Sequence, residues 1–473
     1  MTWELALFEA RRLLRHPLVW GAAALVLAVQ TYLSRDQQPD LGVDPVHATG
    51  LSACLAGAVL MVASLAASRD GRHGMPESLA GLPGRAEHRT RAILLAAPLV
   101  AGVAAAVTVF AYLGIRLLNG PVAGRLDPWE PLTAVAAAML AAALGVAVGR
   151  WARWLIAGPM VVAALGVLII MNTTNGAAGW WLPVMQKYRP DWPDRPSGVH
   201  LVYVVALAAL FAGLALLRHR VRLAPAAALV AGLGVAVPTG AVAAAEPPVT
   251  QPTSGELTIE DVDPRVRERY HGAGTHRCAV RRGITYCAYP GYEPWIPLWE
   301  EPVRAAVDVL PAALRARVPR VEQTSLRWYL GEDGGATVIR PTMTWGHPDQ
   351  RTALAMDVAI WATGVRDADD TPGCDAHGQA RTVVALWIIG QVSPPELPRA
   401  LHVDADNRST WLASWGPAEV VYAKLLLSTP GAREKVLARW DTLMKPTTTI
   451  DQALPLLGLD RKFDAPTGAT PCA

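Results

Sequence analysis

The chain has little charge and almost no lysine. Only 18% of its 473 residues are Asp, Glu, Lys or Arg, and the lysines are Lys187, Lys424, Lys435, Lys445 and Lys462. None of them follows a glycine, so the chain lacks the Gly-x-x-x-x-Gly-Lys loop whose amides cradle nucleotide phosphates, and it cannot hydrolyse ATP by that route. It also lacks a His-Glu-x-x-His helix, a Gly-x-Ser-x-Gly elbow and a Ser-x-x-Lys pair, and with them the hydrolytic chemistries those spacings carry. A net charge of +3, dispersed along the chain, makes no basic face for nucleic acid. Nothing in the sequence implies a cofactor.

Apolar length is abundant. Seven stretches, 17–33, 46–67, 92–115, 129–148, 155–171, 199–217 and 223–245, suit a hydrocarbon core about 30 Å thick, which needs roughly 20 apolar residues. They mostly lack the polar stripe of a surface helix, which argues against a soluble core. Past Glu246 the composition turns polar. The expected fold is an all-α polytopic membrane domain of six core spans (17–217) plus a seventh (223–245), followed by a helix-rich α+β extracytoplasmic domain (246–473).

Arginine placement gives the expected orientation. With the N-terminus in the cytoplasm, 13 basic residues fall on inner segments and 6 on outer loops, as the positive-inside rule requires. An odd number of spans then puts everything after Ala245 outside. The seventh stretch also reads as a signal-peptide hydrophobic region ending in Ala-x-Ala, and cleavage there would release the exported tail.

Four of the five cysteines, Cys278, Cys287, Cys374 and Cys472, lie in that exterior segment, where disulfides persist. Arg282 and Gly283 suit a hairpin turn that pairs Cys278 with Cys287, leaving Cys374 for Cys472 by elimination. Zinc on Cys278, Cys287, His271 and His276 is the alternative, but close Cys-x-x-Cys spacing is missing.

Residues 1–16 form a separate amphipathic element. Trp3, Ala6, Leu7, Ala10, Leu13 and Leu14 recur at helical spacing while Glu4, Arg11, Arg12 and Arg15 share another face, the pattern of a helix lying in the inner membrane interface. The alternative is a cytoplasmic extension of the first span. The first inner loop follows a different logic. Gly74 breaks the chain, Pro76 and Glu77 suit a helix start, Met75, Leu79 and Leu82 share one face, and Pro83-Gly84 ends it. A short helix with an apolar stripe, flanked by Arg69 and Arg89, suits a groove on a cytoplasmic partner.

Arg11-Arg12, the pattern Arg69…His73-Gly74…Glu77…Leu79…Leu82-Pro83…Arg89, and Leu144-Gly145…Gly149-Arg150-Trp151 together resemble ABC-2 type permeases, the membrane subunits of bacterial ABC exporters. The resemblance covers about the first 220 residues. It implies six spans forming half of a transporter in the bacterial cell membrane, paired with itself or with a second permease, and driven by a separate ABC ATPase subunit. On that resemblance Arg69, Met75, Glu77, Leu79, Leu82, Pro83 and Arg89 form the ATPase-coupling loop. The seventh span and the exterior domain depart from the family pattern. They leave open a membrane-anchored binding or sensing protein without transport, or an anchored hydrolase.

Ionisable side chains are nearly missing from the span centres, where Gln30, Thr49, Ser52, Ser64, Thr108 and Thr133 are the main polar groups, so proton- or ion-coupled transport is disfavoured. The loop aromatics Trp180, Trp181, Tyr188 and Trp192 suit an interfacial belt. In the exterior segment helices are expected over 300–317, 350–363, 381–391, 417–427, 431–444 and 451–458, with strands over 324–330 and 336–344. His347, His377, Asp357 and Glu419 are its acid–base candidates, unlinked by spacing. Its tryptophans read as core.

Overall fold

The computed structural model describes residues 2–72, 86–152, 154–174, 181–184, 195–219, 223–245, 264–271, 274–324, 338–341, 344–346, 348–365, 374–392, 397, 400–405 and 408–462. The chain forms two compact units, Met1–Val249 and Thr250–Ala473.

The first unit is helical: α1 Thr2–Leu14, α2 Pro17–Leu33, α3 Asp44–Arg72, α4 Ala86–Leu117, α5 Trp129–Trp151, α6 Ala157–Thr174, α7 Ser197–Leu217 and α8 Leu223–Ala243. Five of these helices, α3, α4, α5, α7 and α8, are long and apolar enough to cross a bilayer. The first expected span, α2, joins α1 through a 50° bend, and the apolar part of the fifth, α6, is the shorter run Ala157–Asn172. The bend has a local cause: Pro17 has no N–H to continue the helix, the His16 ring accepts from Leu18 N, and the Trp20 indole N–H donates to the Leu14 carbonyl left over by α1.

Close backbone approach holds the bundle. A Cβ at Gly145 or Gly149 of α5 would lie 2.4 Å from the carbonyl oxygens of Leu60 and Ser64 on α3, so only glycine lets these two helices meet. α7 and α8 pack antiparallel: Gly213 meets the Pro225 carbonyl, Gly232 meets that of Ala206, and Gly240 sits on the Tyr203 ring. Of α8's apolar window only 17% is buried, against 72% for α5, so α5 is the central helix and α8 the peripheral one.

The second unit combines helices with two small sheets. β1 (Arg277–Arg281) and β2 (Ile284–Ala288) form a hairpin that continues through β3 (Arg320–Glu322) to β4 (Val338–Ile339). Arg282 and Gly283 both take positive φ, 49° and 85°, as a two-residue turn of the primed type requires. The turn sets Cys278 opposite Cys287, Cα atoms 4.0 Å apart, and a disulfide joins them. A second sheet has the order β5 (Cys374–Asp375), β7 (Arg408–Ser414), β6 (Ala400–Ala405). Around them lie α9 Pro264–His271, α10 Ile296–Val307, α11 Ala312–Arg315, α12 Pro348–Thr363, α13 Ala380–Ile389, α14 Pro417–Ser428, α15 Ala432–Ala438, α16 Trp440–Leu443 and α17 Ile450–Leu457. The single helix expected over 300–317 is two, because extended Pro311 interrupts it. That expected over 431–444 breaks at Arg439, whose φ of −119° is not helical. Trp295 and Trp299 are fully buried core residues.

Candidate functional site

Helix α1 lies against α4 through its buried Ala6 and Leu13, while Trp3, Leu7 and Phe8 point outward. Its polar residues reach the two stems of the 73–85 segment. Glu9 receives both terminal nitrogens of Arg69, at 3.4 and 3.3 Å, where α3 ends. Thr2 Oγ1 lies 3.0 Å from His88 Nδ1, where α4 begins. One helix of 13 residues therefore fastens both stems. Within the second stem Arg91 pairs with Glu87 one helical turn away, at 2.7 Å.

The end of α7 completes the cluster. Thr90 Oγ1 lies 2.7 Å from His219 Nε2, the Trp151 indole donates to the Leu214 carbonyl at 2.9 Å, and the Arg218 guanidinium sits 5.8 Å from the Trp151 ring centre. Burial first, and then Arg150, lowers the His219 pKa, while Glu87 opposes the shift. The imidazole is therefore neutral at pH 7. Arginines from α3, α4, α5 and α7 thus gather at one end of the unit, with α1 across it. Of the residues assigned to the coupling loop, Arg69 and Arg89 belong to this end, and Met75, Glu77, Leu79, Leu82 and Pro83 lie outside the described residues. What the arrangement does is fix the stems of a loop.

The opposite end carries charges that reasoning from the sequence missed. Arg116 is buried and its Nε donates to Asp44 Oδ2 at 2.9 Å, while its other nitrogens donate to the carbonyls of Ser34 and Gln37 at 2.8 Å and of Gln38 at 2.7 Å. Asp44 also accepts from the Tyr112 hydroxyl at 3.3 Å and from Asp40 N at 3.1 Å. This clasp ties the α2–α3 connection to the end of α4. Nearby, Glu130 and Arg195 form a second buried pair at 3.6 Å, and buried His200 Nε2 lies 2.8 Å from the Leu182 carbonyl. Arg116 and Arg195 read in the sequence as outer-loop charges; no local pattern announces their burial. Because Gly240 packs on Tyr203, near the start of α7, α8 brings the chain out at this end.

In the second unit, Cys374 lies in β5 and Cys472 is outside the described residues, as is His347. Glu419 accepts from the amides of Gly378 at 2.7 Å and Gly416 at 2.9 Å, and Asp357 accepts from Arg340 N at 2.7 Å. Both carboxylates serve the backbone. No group of three His, Cys, Asp or Glu suited to a metal occurs among the described residues. Comparison with family models, curated proteins and solved structures finds no match to this chain.

Proposed function

We propose that the chain is the membrane permease subunit of an ABC-type exporter, with the 73–85 segment docking on a separate ATPase. The observation that carries this reading is the attachment of both loop stems to α1, Arg69 to Glu9 and His88 to Thr2. A push on a loop reaches a transport pathway only if its stems are stiffly joined to the spans, and contacts on both sides of the loop, together with Thr90 to His219, supply that stiffness. The exit of the chain at the far end supports the second half of the proposal, an extracytoplasmic C-terminal unit.

The test is co-purification of the full chain with the ABC ATPase expressed with it, followed by ATPase assay. The proposal expects a stable complex whose activity responds to the permease, and loss of both in Leu79→Asp with the fold retained. A complex indifferent to Leu79→Asp removes the docking role. Absence of any ATPase partner favours an anchored binding protein that does not transport.

A further inference from the structure

The second unit contains a cleft of about 520 Å³ between the β1–β2 turn, one face of α10, and α11. That volume is in the range of small-molecule sites, roughly 300 to 1,000 Å³. Guanidinium groups dominate it: Arg281 and Arg282 come from the turn, Arg304 from α10 and Arg315 from α11, against the carboxylates of Glu300 and Asp308. Four positive charges facing two negative ones leave the cleft at +2.

The ion pairs inside it are loose. Glu300 is shared between Arg281 at 3.4 Å and Arg282 at 3.6 Å, and Arg304 meets Asp308 at 3.4 Å. Arg315 is exposed and makes no side-chain contact with a polar partner among the described residues. The floor supplies an independent sign of a ligand. Tyr286 is fully buried and lines the cleft, yet its hydroxyl has no hydrogen-bond partner among the described residues. A buried donor left unmade is costly, and native folds seldom tolerate one without a use. Burial, and then Glu300, raises the Tyr286 pKa, so the hydroxyl keeps its proton and remains a donor. Ile284 and Val307 add apolar surface beside it.

We infer that this cleft binds a phosphate monoester, with Arg304, Arg315 and the Tyr286 hydroxyl on the phosphoryl oxygens and the organic remainder against Ile284 and Val307. Charge selects the class: a phosphate monoester carries about −1.5 to −2 near neutral pH and balances the cleft, whereas one carboxylate leaves half of the excess uncompensated. Arginine suits this partner because its planar fork meets two oxygens at once. A soluble phosphate ester and the headgroup of a phosphatidic-acid-type lipid present the same chemistry.

The probe is phenyl phosphate, titrated calorimetrically into the full chain in phosphatidylcholine nanodiscs. Saturable binding is expected, weakened roughly tenfold or more by Arg315→Ala, and likewise by Tyr286→Phe, since each removes a hydrogen bond to a charged group. Arg315 is exposed, so Arg315→Ala should keep its melting temperature, and benzoate should bind more weakly than phenyl phosphate. In nanodiscs containing phosphatidic acid, loss of probe binding identifies the lipid headgroup as the source, and unchanged binding identifies a soluble ester. Absence of saturable binding, affinity indifferent to both substitutions, or equal affinity for benzoate overturns the assignment. Since none of these readouts involves an ATPase, the result stands apart from the fate of the permease reading.

Discussion

Replacing Asp44 with Asn removes the counter-charge of Arg116 and leaves the guanidinium where it is. The Arg116 and Asp44 side chains are 2% and 4% exposed, so water cannot replace the lost partner. Breaking a buried ion pair by removing one member costs about 3 to 5 kcal/mol, mostly the penalty of the charge left behind. Arg116 keeps its carbonyl acceptors on Ser34, Gln37 and Gln38, which places Asp44→Asn toward the lower figure. For a unit of this size each kcal/mol moves the melting temperature by roughly 2 to 4 °C, so a loss near 3 kcal/mol means a fall of about 6 to 12 °C. Thermal unfolding of the purified full chain in detergent, followed by tryptophan fluorescence, reads it. The double variant Asp44→Leu with Arg116→Met should lose less than the two single losses together, with about 1 kcal/mol or more of coupling. A fall below about 2 °C for Asp44→Asn would refute the argument, because that is the scale of an exposed pair.

Other consequences are open to direct measurement. Substituting Cys278 and Cys287 with serine frees a hairpin whose ends are 9 residues apart, and chain-entropy reasoning puts the loss at about 2.5 kcal/mol; the midpoint of the second unit's transition should fall, and only in the variant should it be insensitive to reductant. Gly149→Val forces a side chain onto the Ser64 carbonyl and should separate α3 from α5 at about 1 to 3 kcal/mol or more, seen as lower yield of monodisperse protein. His219 has a lowered pKa, so the unfolded chain binds the proton more readily than the folded one, and stability falls as the pH drops below the ordinary imidazole value of 6.5. His219→Gln should flatten the change in melting temperature between neutral pH and that acidic range; an unchanged slope contradicts the assignment.

The bundle was readable because bilayer thickness fixes a length, and runs of 20 or so apolar residues stand out in any window. The β1–β2 hairpin was readable because Arg282-Gly283 is a local turn signal. The three-stranded sheet was not foreseen: β5 is two residues long, and β6 and β7 carry His402, Asp404, Arg408 and Ser409 among their apolar residues, which blurs the alternation. At the arginine-rich end, the sequence marked Arg69 and Arg89 but not their setting, because Glu9 lies 60 residues from Arg69 and Thr2 lies 86 from His88. The Asp44–Arg116 clasp was hidden for the same reason. Its partners are 72 residues apart, and a charge at a helix end looks alike in sequence whether it faces water or a neighbouring helix. The orphan hydroxyl of Tyr286 has no sequence signal at all, since only the packed fold shows which donors lack acceptors.

On the permease reading proposed above, the loop at the arginine-rich end faces the cytoplasm while the chain beyond α8 lies on the other side of the membrane. Labelling of Ser78→Cys and Ser254→Cys variants in intact cells with a membrane-impermeant maleimide distinguishes the two sides. Position 254 should react without permeabilisation and position 78 only after it; the reverse pattern, or equal labelling of the two positions, would overturn the proposed topology.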